Sequence, residues 1–202
     1  MLKRAMDVLV SVVGLLVLSP AWILAAFLVY REDPGPVIYK SSRVGRNGKE
    51  FRMWKFRTMV QNADRIGGPS TAADDPRLLK SSRTLRKYKL DEVPQLVNVL
   101  KGEMSIVGPR PEVRVYTDMY SPEERALLTV RPGITDRASI RFRNEGEILR
   151  GAADPEQAYM EKIRPEKIRL GLEYIKRRSL REDVAIMFAT VRAIFGSPRP
   201  RT

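Results

Sequence analysis

The sequence predicts an α+β fold that is mainly helical, with a re-entrant (helix-break-helix) membrane segment at the N-terminus, a small β-hairpin and amphipathic interfacial helices. Three observations predict it. Residues 8–30 form one uncharged apolar run, an Asn-Gly pair separates two strand-like stretches, and most later residues follow helical spacing. We therefore expect a membrane segment at residues 1–32, a cytosolic-face domain at 33–196 and a tail at 197–202.

The apolar run is long enough to cross a bilayer, since about 20 apolar residues suffice. Near its centre stand Ser19 and Pro20, and a proline there removes one helical hydrogen bond and predicts a bend. Lys3 and Arg4 precede the run and Arg31 follows it, which favours the cytoplasm for both ends. This pattern favours a segment that enters and leaves by one face. An ordinary kinked span is the alternative, because long folded domains translocate despite their charge.

The composition limits the possible chemistry. The chain has 202 residues, with 37 Lys and Arg against 24 Asp and Glu, and a formal net charge of +13. Such a surface favours an anionic partner: nucleic acid, an anionic membrane leaflet or a phosphorylated substrate. The sequence has neither cysteine nor histidine, which excludes thiol, imidazole and thiolate–metal chemistry. Any catalysis must therefore use carboxylates, lysines, hydroxyls or a bound hard cation.

The stretch at 37–58 predicts a β-hairpin that turns at residues 46–48, because Asn-Gly is the strongest short hairpin signal. Its aromatic residues Phe51, Trp54 and Phe56 fit a packed core better than a stacking platform. Residues 61–76 and 131–133 have loop and turn composition.

Helices are predicted at about 77–89, 92–101, 155–181 and 183–195. The helix at 92–101 has its apolar residues on one face, namely Val93, Leu96, Val97 and Leu100. Pro94 is acceptable only in a first turn, and Gly102 favours the C-terminal end. The apolar stretch at 183–195 is too short to span a bilayer and fits an interfacial or core helix.

Two adjacent carboxylates, Asp91 and Glu92, stand at the predicted start of the helix at 92–101. An aspartate carboxylate can act as a nucleophile toward phosphorus, and a neighbouring glutamate can hold Mg²⁺ or move a proton. The alternative is an N-terminal cap whose negative charge suits the helix dipole. Donors for phosphate oxygens could come from five basic residues: Lys55, Arg57, Arg83, Arg86 and Arg110. Pro109 and Pro111 make a stiff loop around the last of these.

Four stretches, in order, resemble the bacterial sugar transferases, which are monotopic polyprenol-phosphate phosphoglycosyl transferases. They are the apolar segment broken at Ser19-Pro20, KFRTM at 55–59, LDEVPQLVNVLKGEMSIVGPRPE at 90–112 and RPGIT at 131–135. The block at 90–112 is the most specific of the four. No large membrane bundle precedes these stretches, so a minimal, small form is expected.

The resemblance implies a re-entrant membrane helix at the cytoplasmic face of the bacterial inner membrane and a catalytic domain at 33–196. Asp91 would attack the β-phosphate of a UDP-sugar and release UMP. Polyprenol (undecaprenyl) phosphate would then take the phospho-sugar from the aspartate, as the first membrane step of glycoconjugate synthesis. Glu92, with Asp91, would bind Mg²⁺. Lys55, Arg86 and Arg110 stand at matching basic positions and would hold phosphates.

The chain departs from the family pattern in two places. After RPGIT it continues DRASIRFRNEGEIL where many members have Gly-Leu-Ala-Gln-Val, which leaves the donor sugar open. Gly171 stands where many members carry an acid, so the role of that acid is lost or moved to Glu173. Ser179 and Asp183 do match the family spacing.

Two other functions compete with this hypothesis. A membrane-tethered nucleic-acid binder would explain the charge and the hairpin rich in Lys, Arg and aromatics, and it predicts steeply salt-dependent binding. A non-catalytic membrane scaffold would use its basic helices on anionic lipid and would tolerate the loss of both carboxylates. The resemblance favours the enzyme, with no nucleic-acid partner.

Overall fold

The structure, a computed structural model, describes residues 1–68 and 70–196 and is mainly helical with a small antiparallel β-hairpin. The predicted tail at 197–202 lies outside the described residues. The helices are α1 (Leu2–Val17), α2 (Ser19–Glu32), α3 (Ser82–Lys87), α4 (Gln95–Lys101), α5 (Arg114–Thr117), α6 (Arg137–Arg141), α7 (Glu145–Leu149), α8 (Pro155–Lys162), α9 (Arg164–Arg177) and α10 (Leu180–Phe195). The strands are β1 (Ile38–Val44), β2 (Glu50–Phe56), β3 (Ser105–Val107) and β4 (Gly133–Thr135).

The predicted bend in the apolar segment is confirmed: α1 and α2 meet at 63° around Leu18. The Ser19 hydroxyl donates to the Leu16 carbonyl at 2.8 Å. Pro20 lies in the first turn of α2, where N–H groups have no acceptor within the helix, so the N–H that proline lacks costs α2 no hydrogen bond. Among the described residues, no single helix combines the length and hydrophobicity needed to cross a bilayer, whereas the bent pair meets that requirement together.

The start of α1 is fixed to the rest of the chain by polar contacts. Asp7 is 2% exposed and accepts hydrogen bonds from the Ser105 hydroxyl at the start of β3. The Lys3 ammonium lies 2.6 Å from a carboxylate oxygen of Asp183 in α10. Arg4 donates to two carbonyls in the last turn of α4. As a result α1 packs on α4 and β3 and shares their hydrophobic core.

The C-terminal end of α2 is also fixed by polar contacts to later residues of the chain. A carboxylate oxygen of Glu32 accepts a hydrogen bond from the Ser81 backbone N–H at 2.9 Å. Asp33, the next residue, forms an ion pair with Arg57 at 2.7 Å. Both ends of the bent pair therefore contact the domain formed by the later residues.

The β-hairpin is confirmed. Strands β1 and β2 pair antiparallel from Ile38–Phe56 to Val44–Glu50, and Asn47 and Gly48 supply the left-handed turn with φ of 59° and 74°.

The aromatic residues of the hairpin divide between two environments. Phe56 is 2% exposed and Phe51 packs against the main core, as expected. Trp54 does not join that core: Lys40 and Lys101 each place an ammonium 4.6 Å from its ring centroid. The core prediction is wrong for Trp54, because these two ammonium groups cover its ring instead of apolar side chains.

A second, parallel sheet pairs β3 with β4 and was not predicted, since Gly133 was expected in a turn. Three-residue strands give no periodic signal, and the pairing joins distant parts of the chain. Strand β3 ends at the first residue of VGPRP (107–111), and β4 holds the last three residues of RPGIT (131–135). A Cβ built on Gly133 would lie 2.1 Å from the Gly108 backbone nitrogen, so this pairing requires glycine.

The helix predicted at 77–89 is shorter than expected and begins at Ser82. The preceding residues bind the segment that follows β2: the Leu79 N–H donates to the Thr58 carbonyl, and the Val60 N–H donates to the Arg77 carbonyl. This pairing competes with the helix and replaces its first turn. The predicted helical region at 155–181 is present as α8 and α9.

The last helix, α10, is amphipathic. Its apolar residues Val184, Phe188, Val191 and Phe195 follow helical spacing along one face and are all exposed, Phe188 to 74%. Ile186 faces the core instead and is 2% exposed. The inner face of α10 thus packs in the core, one of the two positions predicted for this helix, and the interfacial position of its outer stripe stays a prediction.

Candidate functional site

The two adjacent carboxylates lie in a tight turn and are both buried. Residues Leu90–Glu92 form a single 3-10 turn, and Lys89 before it has a left-handed φ of 56°, which is uncommon for a residue with a side chain. The helix was expected to start near residue 92, but α4 begins at Gln95 after Pro94. The prediction is wrong at this end because backbone N–H groups as far as Val97 donate to the carbonyl three residues back. This is the 3-10 pattern, whereas an α-helix bonds four residues back.

Glu92 is held by Arg110 and faces Lys55. The Arg110 guanidinium donates to both carboxylate oxygens of Glu92, at 2.7 and 3.0 Å. The Lys55 ammonium lies 3.7 Å from one of the same oxygens. Burial alone would raise the pKa of Glu92, but Arg110 and Lys55 outweigh it and hold that pKa well below the usual range. Glu92 is therefore ionised at neutral pH.

Asp91 is 5% exposed, and its Oδ1 has no hydrogen-bond partner among the described residues. Burial raises the pKa of Asp91 above its ordinary value, and the neighbouring Glu92 charge raises it further. The cations of Lys55, Lys89 and Arg86 act against that shift. An unpaired carboxylate with a raised pKa is more basic and more available as a nucleophile than its clamped neighbour.

Lys55 lies on β2 and points into the site from the hairpin. Burial lowers its pKa to about 8, although the Glu92 charge acts in the opposite direction. The ammonium therefore stays mostly charged at neutral pH and loses its proton as the pH rises through about 8.

The loop of Pro109 and Pro111 brings Arg110 to the carboxylates. Arg110 also donates to the Ile134 carbonyl of β4 at 3.2 Å. Strand β4 belongs to the RPGIT sequence, and Glu92 belongs to the block at 90–112. Arg110 thus connects two sequence motifs that are far apart in the chain.

The other predicted basic residues lie in different places. Arg86 in α3 lies near Asp91, because its positive charge is one of those that oppose the rise in the pKa of Asp91. Arg83 is exposed on the same helix. Arg57 is 7% exposed and is paired with Asp33, not with Asp91 or Glu92.

Arg43 and Lys89 are cations of the site that the sequence reasoning missed. Arg43 lies on β1 on the same face as Lys55, because Tyr39 is paired with Lys55 and residues two apart share a face. The alternation of the hairpin could have identified Arg43. Lys89 could be recognised only from its place next to the carboxylate pair.

The donor set fits Mg²⁺, which binds proteins through one or two carboxylates and takes its other ligands from phosphates and water. Asp91 supplies an unpartnered oxygen, and the oxygens of Glu92 each keep a lone pair beside their bonds to Arg110. Within the part of the chain that the structure covers, no group of three or more carboxylates gathers into a fuller metal cage. The site therefore suits a metal that arrives with a phosphorylated ligand.

Gly171 lies where α9 packs closely against Leu127. A Cβ at this position would lie 2.7 Å from a methyl carbon of Leu127, so α9 approaches its neighbour closely here. Glu173 does not take the place of a missing acid in the site, because it pairs with Arg169 and Arg177 along its own helix.

The two positions that match the family spacing support α10. The Ser179 hydroxyl accepts a hydrogen bond from the Glu182 N–H at the helix start. Asp183 is 1% exposed and accepts a hydrogen bond from the Tyr174 hydroxyl at 2.7 Å, in addition to its ion pair with Lys3. Ser179 therefore caps α10, and Asp183 fixes α10 to α9 and α1.

Comparison with known proteins identifies the family. The chain is 38% identical over 197 residues to a UDP-N-acetylgalactosamine-undecaprenyl-phosphate N-acetylgalactosaminephosphotransferase of Aeromonas hydrophila, covering 96% of this chain and 43% of that protein. It is 38% identical to the UDP-glucose:undecaprenyl-phosphate glucose-1-phosphate transferase of Escherichia coli K12, over 95% of this chain and 39% of that one. The exopolysaccharide production protein ExoY of Sinorhizobium fredii is 34% identical, with 95% and 84% covered.

The chain thus spans about two fifths of the length of the first two relatives and most of the third. The family model for bacterial sugar transferases matches residues 1–197. The protein belongs to the bacterial sugar transferase family.

Proposed function

We propose that this protein transfers a phospho-sugar from a UDP-sugar to polyprenol phosphate, giving a polyprenol-diphosphate-sugar and UMP. Two of its relatives are undecaprenyl-phosphate sugar phosphotransferases by name, which supports this reaction class. The observation that carries it here is the buried, unpartnered carboxylate of Asp91 beside the clamped Glu92. Such a pair supplies a nucleophile and a fixed negative charge within one turn of the chain.

In the first half-reaction, an Asp91 oxygen attacks the β-phosphorus of the UDP-sugar. A bond forms between that oxygen and phosphorus, and the bond from phosphorus to the bridging oxygen breaks. UMP leaves with the electron pair, and a phospho-sugar stays on the aspartate as an acyl phosphate. Lys55, Arg86 and Arg110, whose charges lie near the two carboxylates, would neutralise the phosphate charges during this transfer.

In the second half-reaction, an oxygen of polyprenol phosphate attacks the same phosphorus. The bond to Asp91 breaks and the carboxylate is restored, so the two half-reactions form a ping-pong cycle. The net positive character of the site suits two anionic substrates that bind in turn. Polysaccharide or other glycoconjugate synthesis is the process that such a product would enter, which agrees with the name of the ExoY relative.

Glu92 is better suited to holding a metal than to moving a proton. Its lowered pKa makes it a weak proton acceptor at neutral pH. We therefore propose Glu92 and Asp91 as the residues that hold Mg²⁺. When bound, the ion would neutralise charge on the diphosphate and on the leaving UMP.

We further propose that the bent pair of α1 and α2 is a re-entrant membrane segment, with the catalytic domain on the cytoplasmic face of the bacterial inner membrane. Contacts of Lys3 and Asp7 at one end and of Glu32 at the other to one domain support it. The residues around the bend are apolar and exposed, with Leu16 at 70% and Ile23 at 59%. The exposed apolar stripe of α10 would lie in the interface of the same leaflet.

UMP release tests the proposed reaction. We expect the wild-type protein, in liposomes with undecaprenyl phosphate and Mg²⁺, to release UMP from at least one member of a panel of UDP-sugars. Excess EDTA should abolish release, and Asp91→Asn should reduce it by at least about 10³-fold, the scale for loss of a catalytic nucleophile. Asp118→Asn, an exposed carboxylate outside the site, is the matched control and should retain activity. Normal UMP release by Asp91→Asn would rule the mechanism out.

A further inference from the structure

Lys3, in the first turn of α1, contacts the strand that leads into the Arg110 loop. Its ammonium donates to the Val107 carbonyl at 3.0 Å. Val107 is the buried last residue of β3, and Arg110, whose guanidinium clamps Glu92, follows three residues later. The contact therefore joins the start of the bent helix pair to the entrance of the loop that completes the site.

A second donor to the Val107 carbonyl comes from α9, but it is shared with Asp183. The Tyr174 hydroxyl lies 3.3 Å from the Val107 oxygen and 2.7 Å from a carboxylate oxygen of Asp183. A hydroxyl has a single hydrogen to donate, and the shorter distance assigns it to Asp183. Lys3 is therefore the stronger of these two donors to Val107. Its ammonium carries several hydrogens, so it also binds Asp183, at 2.6 Å.

Asp7, one turn after Lys3 on the same face of α1, holds the rest of β3. Its carboxylate accepts hydrogen bonds from the Ser105 hydroxyl and the Ile106 N–H, both at 3.0 Å. Lys3 and Asp7 thus bind all three residues of the strand. The chain then enters Gly108 and a loop with two prolines, whose φ angles are fixed. A displacement of β3 would therefore carry the guanidinium of that loop with it.

A simpler explanation gives Lys3 a charge-balancing role alone. Asp183 is 1% exposed, and a buried carboxylate that loses its cation is strongly destabilising. The ion pair accounts for the short contact to Asp183 but does not require the hydrogen bond to Val107. The two roles are separable, because Asp183→Asn removes the buried charge and leaves the Val107 carbonyl for Lys3 to bind.

We propose that Lys3 is a positioning residue for Arg110, so that the geometry of the site depends on the docking of α1 against β3. The inference rests on the proposed function, because it takes the clamp of Arg110 on Glu92 as part of the reaction site. Lys3 acts through the backbone of β3 and takes no part in bond making. Detachment of α1 would release the entrance of the loop and loosen the clamp, which makes the chemistry depend on how the proposed membrane segment is seated.

Hydrogen exchange of the full-length protein in liposomes tests the contact without relying on activity. Adding Lys3→Met to Asp183→Asn should raise the exchange rate of the backbone amides at 106–110 by about 10-fold, because the entrance of the loop loses its support. Arg4→Met in the same background is the matched control, since Arg4 docks the same turn of α1 on two carbonyls of α4. Its effect should fall on α4 and leave 106–110 unchanged. Equal exchange at 106–110 with and without Lys3, or the same pattern in both variants, would overturn the proposal.

A double-mutant cycle on UMP release tests whether Lys3 acts through Arg110. In the Asp183→Asn background, Lys3→Met should lower kcat/KM for the UDP-sugar by about 10-fold, the scale for residues in one network. With Arg110→Gln also present, the same change should lower it by less than about twofold, because no clamp is left to position. Arg4→Met should instead have the same effect with and without Arg110. An equal effect of Lys3→Met in both backgrounds would overturn the proposal.

Lys3→Arg keeps a cationic donor for Val107 and should recover most of the exchange protection and rate that Lys3→Met loses. No recovery would contradict the donor role. If the Lys3→Met protein fails to fold, Lys3→Gln in the same background replaces it, with the same expected results. Failure of the proposed function would appear separately, as no UMP release by the wild-type protein, and the exchange comparison would still decide whether Lys3 holds the loop.

Discussion

The two adjacent carboxylates differ in what surrounds them, and this difference assigns their roles. Glu92 is clamped by Arg110 and has a lowered pKa, whereas Asp91 is buried with an unpartnered oxygen and has a raised pKa. Two titratable neighbours whose environments push their pKa values apart are typical of catalytic pairs.

These shifts predict the pH dependence of kcat/KM for the donor. Asp91 is active when ionised and its pKa is raised, so activity should fall as the pH drops below a midpoint higher than an ordinary aspartate pKa of about 3.9. Lys55 is charged below its pKa of about 8, so activity should fall again as the pH rises through that value. The profile should be bell-shaped.

The variant Lys55→Arg isolates the basic limb of that profile, because arginine stays charged throughout the measurable range. The fall near pH 8 should disappear in this variant while the acid limb remains. A limb that persists near pH 8 in Lys55→Arg would mean that another group causes it.

At the scale of elements, the parallel pair of β3 and β4 holds the Arg110 loop in place. Gly108 and Gly133 pack backbone to backbone where the two strands meet. We expect Gly133→Ala to destabilise the protein by about 1–3 kcal/mol, because the new Cβ meets backbone that cannot move aside. The thermal midpoint should fall by about 2–4 °C per kcal/mol.

Gly68→Ala is the control for that measurement, since the nearest heavy atom to its Cβ is 3.8 Å away. Its midpoint should stay close to that of the wild type. Equal midpoints for Gly133→Ala and Gly68→Ala would show that the strand pair tolerates a side chain there.

The elements that the sequence predicted well are those with a local signal. The hairpin turn at Asn47-Gly48, the bend near Pro20 and the end of α4 at Gly102 depend on the backbone preferences of single residues. The short sheet of β3 and β4 has no such signal, because its strands pair across the chain. The late start of α3 has the same cause, since residues before it bind the segment after β2.

The identity of the site residues could be predicted where a sequence motif contains them. Their arrangement could not, because it depends on tertiary contacts. The block at 90–112 identified Asp91, Glu92 and Arg110. Their arrangement could not be derived from spacing, because the Arg110 clamp on Glu92 depends on a loop held by β4. Arg57 also belongs to a basic motif, yet a contact with Asp33 at the end of α2 takes it elsewhere.

On the scale of the whole molecule, the bent helix pair and the catalytic domain are held together at both ends of the pair. Helix α1 binds α10, β3 and α4 through Lys3, Asp7 and Arg4, and Glu32 at the end of α2 binds residues before α3. A straight span would have to break one of these two sets of contacts. We therefore expect both ends on the side of the domain.

Cysteine labelling tests this topology without background, since the chain has no cysteine. Ala5→Cys and Arg31→Cys, both exposed, should react with an impermeant maleimide only in inside-out membrane vesicles. Arg46→Cys, in the exposed hairpin turn, marks the side of the catalytic domain and should behave in the same way. Labelling of Ala5→Cys and Arg31→Cys from opposite sides would identify a true span.

The central claim is that Asp91 carries the phospho-sugar, and the most direct measurement is the reaction without acceptor. Wild-type protein mixed with its UDP-sugar and Mg²⁺ should release about one UMP per enzyme in a burst. Mass spectrometry should then find a sugar phosphate on the peptide that contains Asp91, and polyprenol phosphate should remove it. No UMP before the acceptor is added, or a sugar phosphate on another residue, would contradict the account.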